Sequence, residues 1–174
     1  MWYCDAMHSR RRFLLAGSTL LVSGCGFQLR GAPHLAFQKV YLSGALDPGL
    51  DREIRTTLTR DAGVTLVSRP EQADVVVYVS PLVKDKQILT LNAQGTVSQF
   101  TLISRLKFRA TDGSGEELLP PTDVNISRLF NYNDVQILAK QYEEQLMYRD
   151  MQHDLVQQML RRLEVLKPKS AATP

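Results

Sequence analysis

Histidine and cysteine are scarce in this chain of 174 residues, which holds three of the first and two of the second. His8, His34 and His153 stand far apart, and Cys4 and Cys25 are not a close pair. No His-x-x-x-His, paired cysteines or carboxylate cluster at ligand spacing appears, so no metal site is expected. Asp112-Gly113-Ser114-Gly115-Glu116-Glu117 has acids and turns but not the alternating ligands of a calcium loop. Neither a Gly-x-Ser-x-Gly elbow nor a phosphate-cradling loop before a helix occurs. Asp150 and Asp154 share a helix face and read as wet surface flanked by Arg149 and Arg161. No nucleophile–base pair can be assembled, and a non-enzymatic role without cofactor is expected. Long apolar runs are missing too. The stretch from Phe13 to Val22 would cross only about half of a ~30 Å hydrocarbon core. Proline and glycine are absent from Asp134 to Lys167, where nothing interrupts a long helix.

What is present near the N-terminus is an export signal. Arg10, Arg11 and Arg12 precede the Phe13–Val22 run, which closes on small residues at Ser23-Gly24. Leu21-Val22-Ser23-Gly24-Cys25 resembles a bacterial lipobox. That resemblance implies a diacylglyceryl thioether on Cys25, cleavage after Gly24 and acylation of the new amine. Residues 1–24 would be removed, with Cys4 among them, and no disulfide could form. Gly26, where many inner-membrane lipoproteins carry aspartate, implies by the same resemblance an outer-membrane anchor facing the periplasm. Ser9-Arg10-Arg11-Arg12-Phe13-Leu14 also fits a twin-arginine route, and Met7 opens an alternative start. Residues 1–24 hold three of the 21 Lys and Arg and one of the 18 Asp and Glu, leaving 18 basic against 17 acidic. A near-neutral body of this kind excludes bulk nucleic-acid binding.

The spacing predicts a tether over residues 25–36, one domain over 37–167 and a disordered tail over 168–174. Phe37–Leu42 reads as a first strand. Asp47-Pro48 supplies an N-cap and a proline at the first helical position, and Leu50, Ile54 and Leu58 follow on one helix face up to Gly63. Val64–Val67 is extended. Ala73–Val83 is rich in β-branched residues, and Val75-Val76-Val77-Tyr78-Val79 within it is continuously apolar, as a central strand would be; Gln87–Leu91 continues extended. Asn92-Ala93-Gln94-Gly95 has turn chemistry. From Thr96 to Ala110 the chain alternates: Phe100, Leu102, Leu106 and Phe108 face one way, Gln99, Thr101, Arg105, Lys107 and Arg109 the other. After the Asp112–Gly115 hairpin turn and a Pro120-Pro121 break, a returning strand is expected over Thr122–Phe130. Asn133 can cap the last helix, whose apolar stripe includes Val135, Leu138, Tyr142, Leu146, Leu155, Met159 and Leu163. At 1.5 Å per residue this helix is roughly 40 Å long, more than a small sheet can cover. The expected fold is α+β: a two-layer sandwich with two helices on one face of a mainly antiparallel or mixed sheet of about four strands. The polar face of the alternating strand is left for water or a partner.

Gly24-Cys25-Gly26-Phe27-Gln28-Leu29-Arg30-Gly31 resembles the opening of LPS-assembly lipoproteins of the LptE type, and Ile137-Leu138-Ala139-Lys140 with Leu146–Met151 and Leu160–Leu163 is similar to their last helix. The resemblance implies a plug that assists assembly of an LptD-type β-barrel and helps deliver lipopolysaccharide to the outer leaflet. Barrel lumens are polar, which suits a polar plug. Lipopolysaccharide phosphates call for Lys or Arg beside an apolar shelf. Lys140 matches the family's Ala-Lys position and is the first candidate. Lys84, Lys86, Arg105, Lys107 and Arg109 are further candidates. Leu91-Asn92-Ala93 stands where relatives can carry a basic loop residue, which argues against a phosphate grip there. The alternative is a periplasmic small-ligand-binding or envelope-stress lipoprotein with no barrel partner, which would need a closed apolar pocket.

Overall fold

A computed structural model describes residues 35–167. Cys25, His34, residues 1–24, most of the tether and the tail over 168–174 lie outside the described residues. The chain forms β1 (Lys39–Ser43), α1 (Pro48–Thr56), β2 (Thr65–Leu66), β3 (Val75–Val79), β4 (Val83–Leu91), β5 (Val97–Asp112), β6 (Glu117–Asn131) and α2 (Ile137–Leu163). Two helices lie on one face of a mixed sheet, as expected, but the sheet has six strands instead of about four.

Local chemistry accounts for the first crossover. The Asp47 carboxylate accepts from the Gly49 and Leu50 amides, and Pro48 fills the first turn of α1. The helix widens into a π-type turn over Thr57–Asp61 and stops at Gly63, whose φ of +66° lies in the left-handed region. Leu50, Ile54 and Leu58 are fully buried against Val40, Val75 and Val77. The Asp74 carboxylate accepts from the Gln38 and Lys39 amides at 3.0 and 2.9 Å, pinning β1 to the start of β3. Strands β1, β2 and β3 are parallel, and β3 lies between β1 and β5. Its central position explains the Val75-Val76-Val77 run, buried on both faces.

The expected single strand over Ala73–Val83 is two. β3 ends at Val79, and the chain resumes as β4 at Val83 after Ser80-Pro81-Leu82. Pro81 has no amide with which to continue the ladder. Both strands pair antiparallel with the same edge of β5, β3 along residues 108–112 and β4 along 97–105. β6 takes the opposite edge and runs from Glu117, through the two prolines read as a break. Phe108 pairs with Thr122 and Ala110 with Leu119, so Pro120 and Pro121 sit in a bulge of an edge strand, where missing amides cost little. The Asp112 turn is as expected. Its carboxylate accepts from the Ser114 and Glu116 amides and from the Ser114 hydroxyl. That hydroxyl is the first cause holding the carboxyl below its ordinary range.

Alternation in β5 holds: Leu102, Leu106 and Phe108 are buried, whereas Arg105 and Lys107 are exposed. Between Leu102 and Leu106, Ser104 is fully buried and its hydroxyl has no hydrogen-bond partner among the described residues. An unsatisfied buried hydroxyl costs about 1–3 kcal/mol. Ser104→Ala is therefore expected to leave stability unchanged or raise it by about 1 kcal/mol in denaturant titration. A loss larger than that would mean the hydroxyl is serving a partner.

The last helix begins later than its capping signal. The Asn133 side chain accepts from the Val135 amide and caps a 3₁₀ turn over Asp134–Gln136, after which α2 runs for 27 residues. Only its second half enters the main core, through Leu155, Val156, Met159, Leu160 and Leu163. The 3₁₀ turn and the first half of α2 leave the start of the expected stripe uncovered, with Val135 88% and Leu138 81% exposed. Glu53 on α1 ties the helices together, accepting from the Gln152 amide group at 2.8 Å and meeting His153 Nδ1 at 3.0 Å. Asp154 pairs with Arg128 at 2.6 Å across to β6, with Asp150 4.0 Å away, instead of merely sharing a wet surface with Arg149 and Arg161.

Candidate functional site

Register divides the five basic candidates of the sheet between its two faces, and the sixth, Lys140, stands on α2. Lys84 and Lys86 stand opposite Ser104 and Leu102 in the β4–β5 ladder, on the side covered by α2. Arg105, Lys107 and Arg109 project from the opposite face. There Lys107 lies 3.9 Å from the Asp123 carboxylate, and the Arg109 guanidinium rests 3.9 Å from the centre of the Tyr78 ring. The structure therefore brings Lys84 and Lys86 to the last helix and separates them from the β5 cations.

Under the first half of α2 sits a second, smaller core of Leu102, Phe130 and Met151, with Phe100, Tyr132, Met147 and Tyr148 packed against it. Phe100 and Tyr132 meet edge to face at 5.4 Å, and both rings neighbour Phe130. Two of the predicted lysines converge on this cluster. Lys86 Nζ lies 4.3 Å from the Phe100 centroid and 5.4 Å from that of Phe130; Lys140 Nζ lies 5.5 Å from Phe130. Each cation is held by an acid from α2: Lys86 by Glu144 at 2.5 Å and Lys140 by Glu143 at 2.8 Å. The Lys140 side chain is only 18% exposed. Partly desolvated cation–π contacts of this kind contribute about 0.5–2 kcal/mol each. Lys86 and Lys140 are thus fastened and largely neutralised cations.

Beside them, where β4 meets α2, an open cleft of about 480 Å³ is lined by Lys84, Tyr142, Gln145, Tyr148 and Arg149. The Tyr148 hydroxyl donates to the Asp85 carbonyl at 2.8 Å. Burial first, then the negative charges of Glu144 and Asp85, push the Tyr148 phenol above its ordinary pKa, so it remains a donor. Lys84 Nζ lies 5.8 Å from that ring. Among the described residues, neither Lys84 nor Arg149 has an ion-pair partner. Leu138, Tyr142, Gln145 and Arg149 follow at i, i+4, i+7 and i+11 and share one helix face. An exposed apolar band thus runs straight into two unopposed positive charges. This arrangement can hold an anion and an attached hydrocarbon together. It offers no nucleophile–base pair, and among the described residues no cluster could hold a metal ion.

Sequence reasoning named Lys84, Lys86 and Lys140 but passed over Tyr142, Tyr148 and Arg149 as functional residues. The available signal is the spacing that places Tyr142 and Arg149 on one helix face, although Tyr142 reads as apolar stripe and Arg149 as wet surface; Tyr148 has no such signal.

Comparison with known proteins agrees with this architecture. A family model described as LptE, lipopolysaccharide-assembly, matches residues 35–163. A curated relative from Yersinia enterocolitica, LPS-assembly lipoprotein LptE, is 30% identical over 165 residues, covering 92% of this chain and 78% of its own. The counterpart in Yersinia pestis is 27% identical over 160 residues, covering 90% and 76%. Among solved structures, the solution structure of lipoprotein B from Nitrosomonas europaea is 29% identical with a TM-score of 0.70, covering 80% of this chain and 90% of that one. Rare lipoprotein B from Shewanella oneidensis, at 22% identity and a TM-score of 0.64, covers 72% and 93% and shares the fold. The chain belongs to the LptE family of lipopolysaccharide-assembly lipoproteins.

Proposed function

We propose that this protein is an outer-membrane lipoprotein, anchored through acylated Cys25 on the periplasmic side, that plugs and helps assemble an LptD-type β-barrel and passes lipopolysaccharide through it. The observation that carries the reading is the juxtaposition in one cleft of Lys84 and Arg149, both without an ion-pair partner among the described residues, with Tyr142, which the exposed Leu138 precedes on the same helix face. A phosphorylated lipid presents that combination of charge and hydrocarbon, and Lys or Arg suits its phosphates. Lys86 and Lys140, each paired with a carboxylate of α2, stand behind the cleft and leave Lys84 and Arg149 as its free charges. Arg105 and Lys107 keep the opposite face polar, as a body seated in a polar lumen requires.

The small-ligand alternative is less well supported. The cleft at β4 and α2, and the depression along Asp134–Ala139, open to solvent instead of closing over a ligand. Extraction of the full-length lipoprotein from outer membranes in mild detergent tests the proposal directly. A large β-barrel and lipopolysaccharide are expected to travel with it through two successive purification steps. A lipoprotein that emerges alone would overturn the plug reading.

A further inference from the structure

A second concave site lies on the sheet face turned away from the helices. β1 and β3 are adjacent and parallel, and the chain leaves their C-terminal ends in different directions. From β1 it passes to α1 on the helical face, while from β3 it turns through Ser80-Pro81-Leu82 into β4. The β3 connection stays in the plane of the sheet, so the face away from the helices is left open as a crevice beside the ends of these two strands. Here that crevice has about 250 Å³ and is lined by Ser43, Tyr78, Ser80, Lys107, Arg109 and Pro121. Gly44 closes it from the β1 side. A Cβ there would lie 2.1 Å from the Val79 carbonyl oxygen, so no other residue permits this approach.

The lining has a definite chemistry. The Arg109 guanidinium lies 3.9 Å from the centre of the Tyr78 ring, a cation–π contact that steadies it beside the crevice. Lys107 reaches the same space, and its nearest carboxylate, Asp123, is 3.9 Å away. No lining residue is acidic among those described. Two serines supply hydroxyls, and Tyr78 and Pro121 supply flat apolar surface. A bare anion would leave that surface and most of the volume unused. A neutral sugar would leave the cations unused.

We propose that this crevice is a binding site for a single anionic sugar, a monosaccharide unit bearing a phosphate or carboxylate group, with the charge on Lys107 and Arg109 and the ring against Tyr78 and Pro121. The site is on the opposite face from the Lys84–Arg149 cleft and does not depend on the function proposed for that cleft.

Calorimetric titration of the full-length lipoprotein in mild detergent, with glucose 1-phosphate, glucuronate, glucose and inorganic phosphate, tests this. At least one charged sugar should bind tenfold or more tightly than both glucose and inorganic phosphate. Which one binds better identifies the anion, and either supports the site. Arg109→Gln and the fully surface change Lys107→Gln should each weaken it about tenfold, about 1.4 kcal/mol, while Lys84→Gln leaves it unaltered. Inorganic phosphate binding as tightly as the better-bound charged sugar, no charged sugar exceeding glucose, or a loss that follows Lys84→Gln would each overturn the proposal.

Discussion

Phe130→Ala is expected to lower stability by about 3–5 kcal/mol, because it empties the centre of the smaller core. Phe130 is 1% exposed and packs with Leu102, Met151, Phe100 and Tyr132. Domains of this size are stable by about 5–15 kcal/mol, so the change removes a large share of the margin. Urea titration should show the midpoint falling with the slope unchanged. The same ring supports Lys86 and Lys140, so Phe130→Leu separates the two contributions. Leucine keeps most of the apolar volume and loses the π face. A much smaller loss than with alanine would assign the cost to packing; equal losses would assign it to the cations. A loss below about 1 kcal/mol for alanine would mean the site collapses freely and is no core at all.

Reversing both free charges of the cleft, Lys84→Glu with Arg149→Glu, should have the largest effect on lipopolysaccharide binding. Hydrogen bonds to charged groups contribute about 1.5–3 kcal/mol each, and every 1.4 kcal/mol is tenfold in affinity. The double variant should therefore bind at least about a hundredfold more weakly in a pull-down with purified lipopolysaccharide. Its folding stability should stay within about 0.5 kcal/mol, since both are surface positions. Wild-type binding should also weaken as salt is raised, because exposed charges are screened beyond about 8–10 Å. Lys140→Asp provides the comparison. Lys140 is already occupied by Glu143 and Phe130, so its reversal should matter less. A loss with Lys140→Asp as large as with the double variant would move the phosphate contact from the cleft to the head of α2.

Much of the fold was legible because local chemistry and burial agreed. Asp47-Pro48, the Leu50–Ile54–Leu58 face, the Asn92 and Asp112 turns and the alternation of β5 all stand where the residues indicate. The misreadings came from pairing, which no local pattern contains. Pro120-Pro121 signals a break unless the strand is known to be an edge with a bulge. The β3–β4 interruption at Pro81 is invisible in a β-branched run until one knows that both pieces share one side of β5. The site was half legible for the same reason. Parity puts Lys84 and Lys86 on one face, but only the ladder says that α2 covers it. Arg128 stands among the apolar positions Val124, Ile126 and Phe130, and its partner Asp154 lies 26 residues further on, beyond the reach of any local pattern.

Because β3 ends where β4 begins along one side of β5, the sheet is five strands abreast at one end and three at the other. The body therefore tapers over the roughly 50 Å length of β5. Its broad end holds the main hydrophobic interior. The slender end carries little bulk beyond the aromatic cluster and the uncovered turns of α2, so its cross-section is well below that of the broad end of this domain.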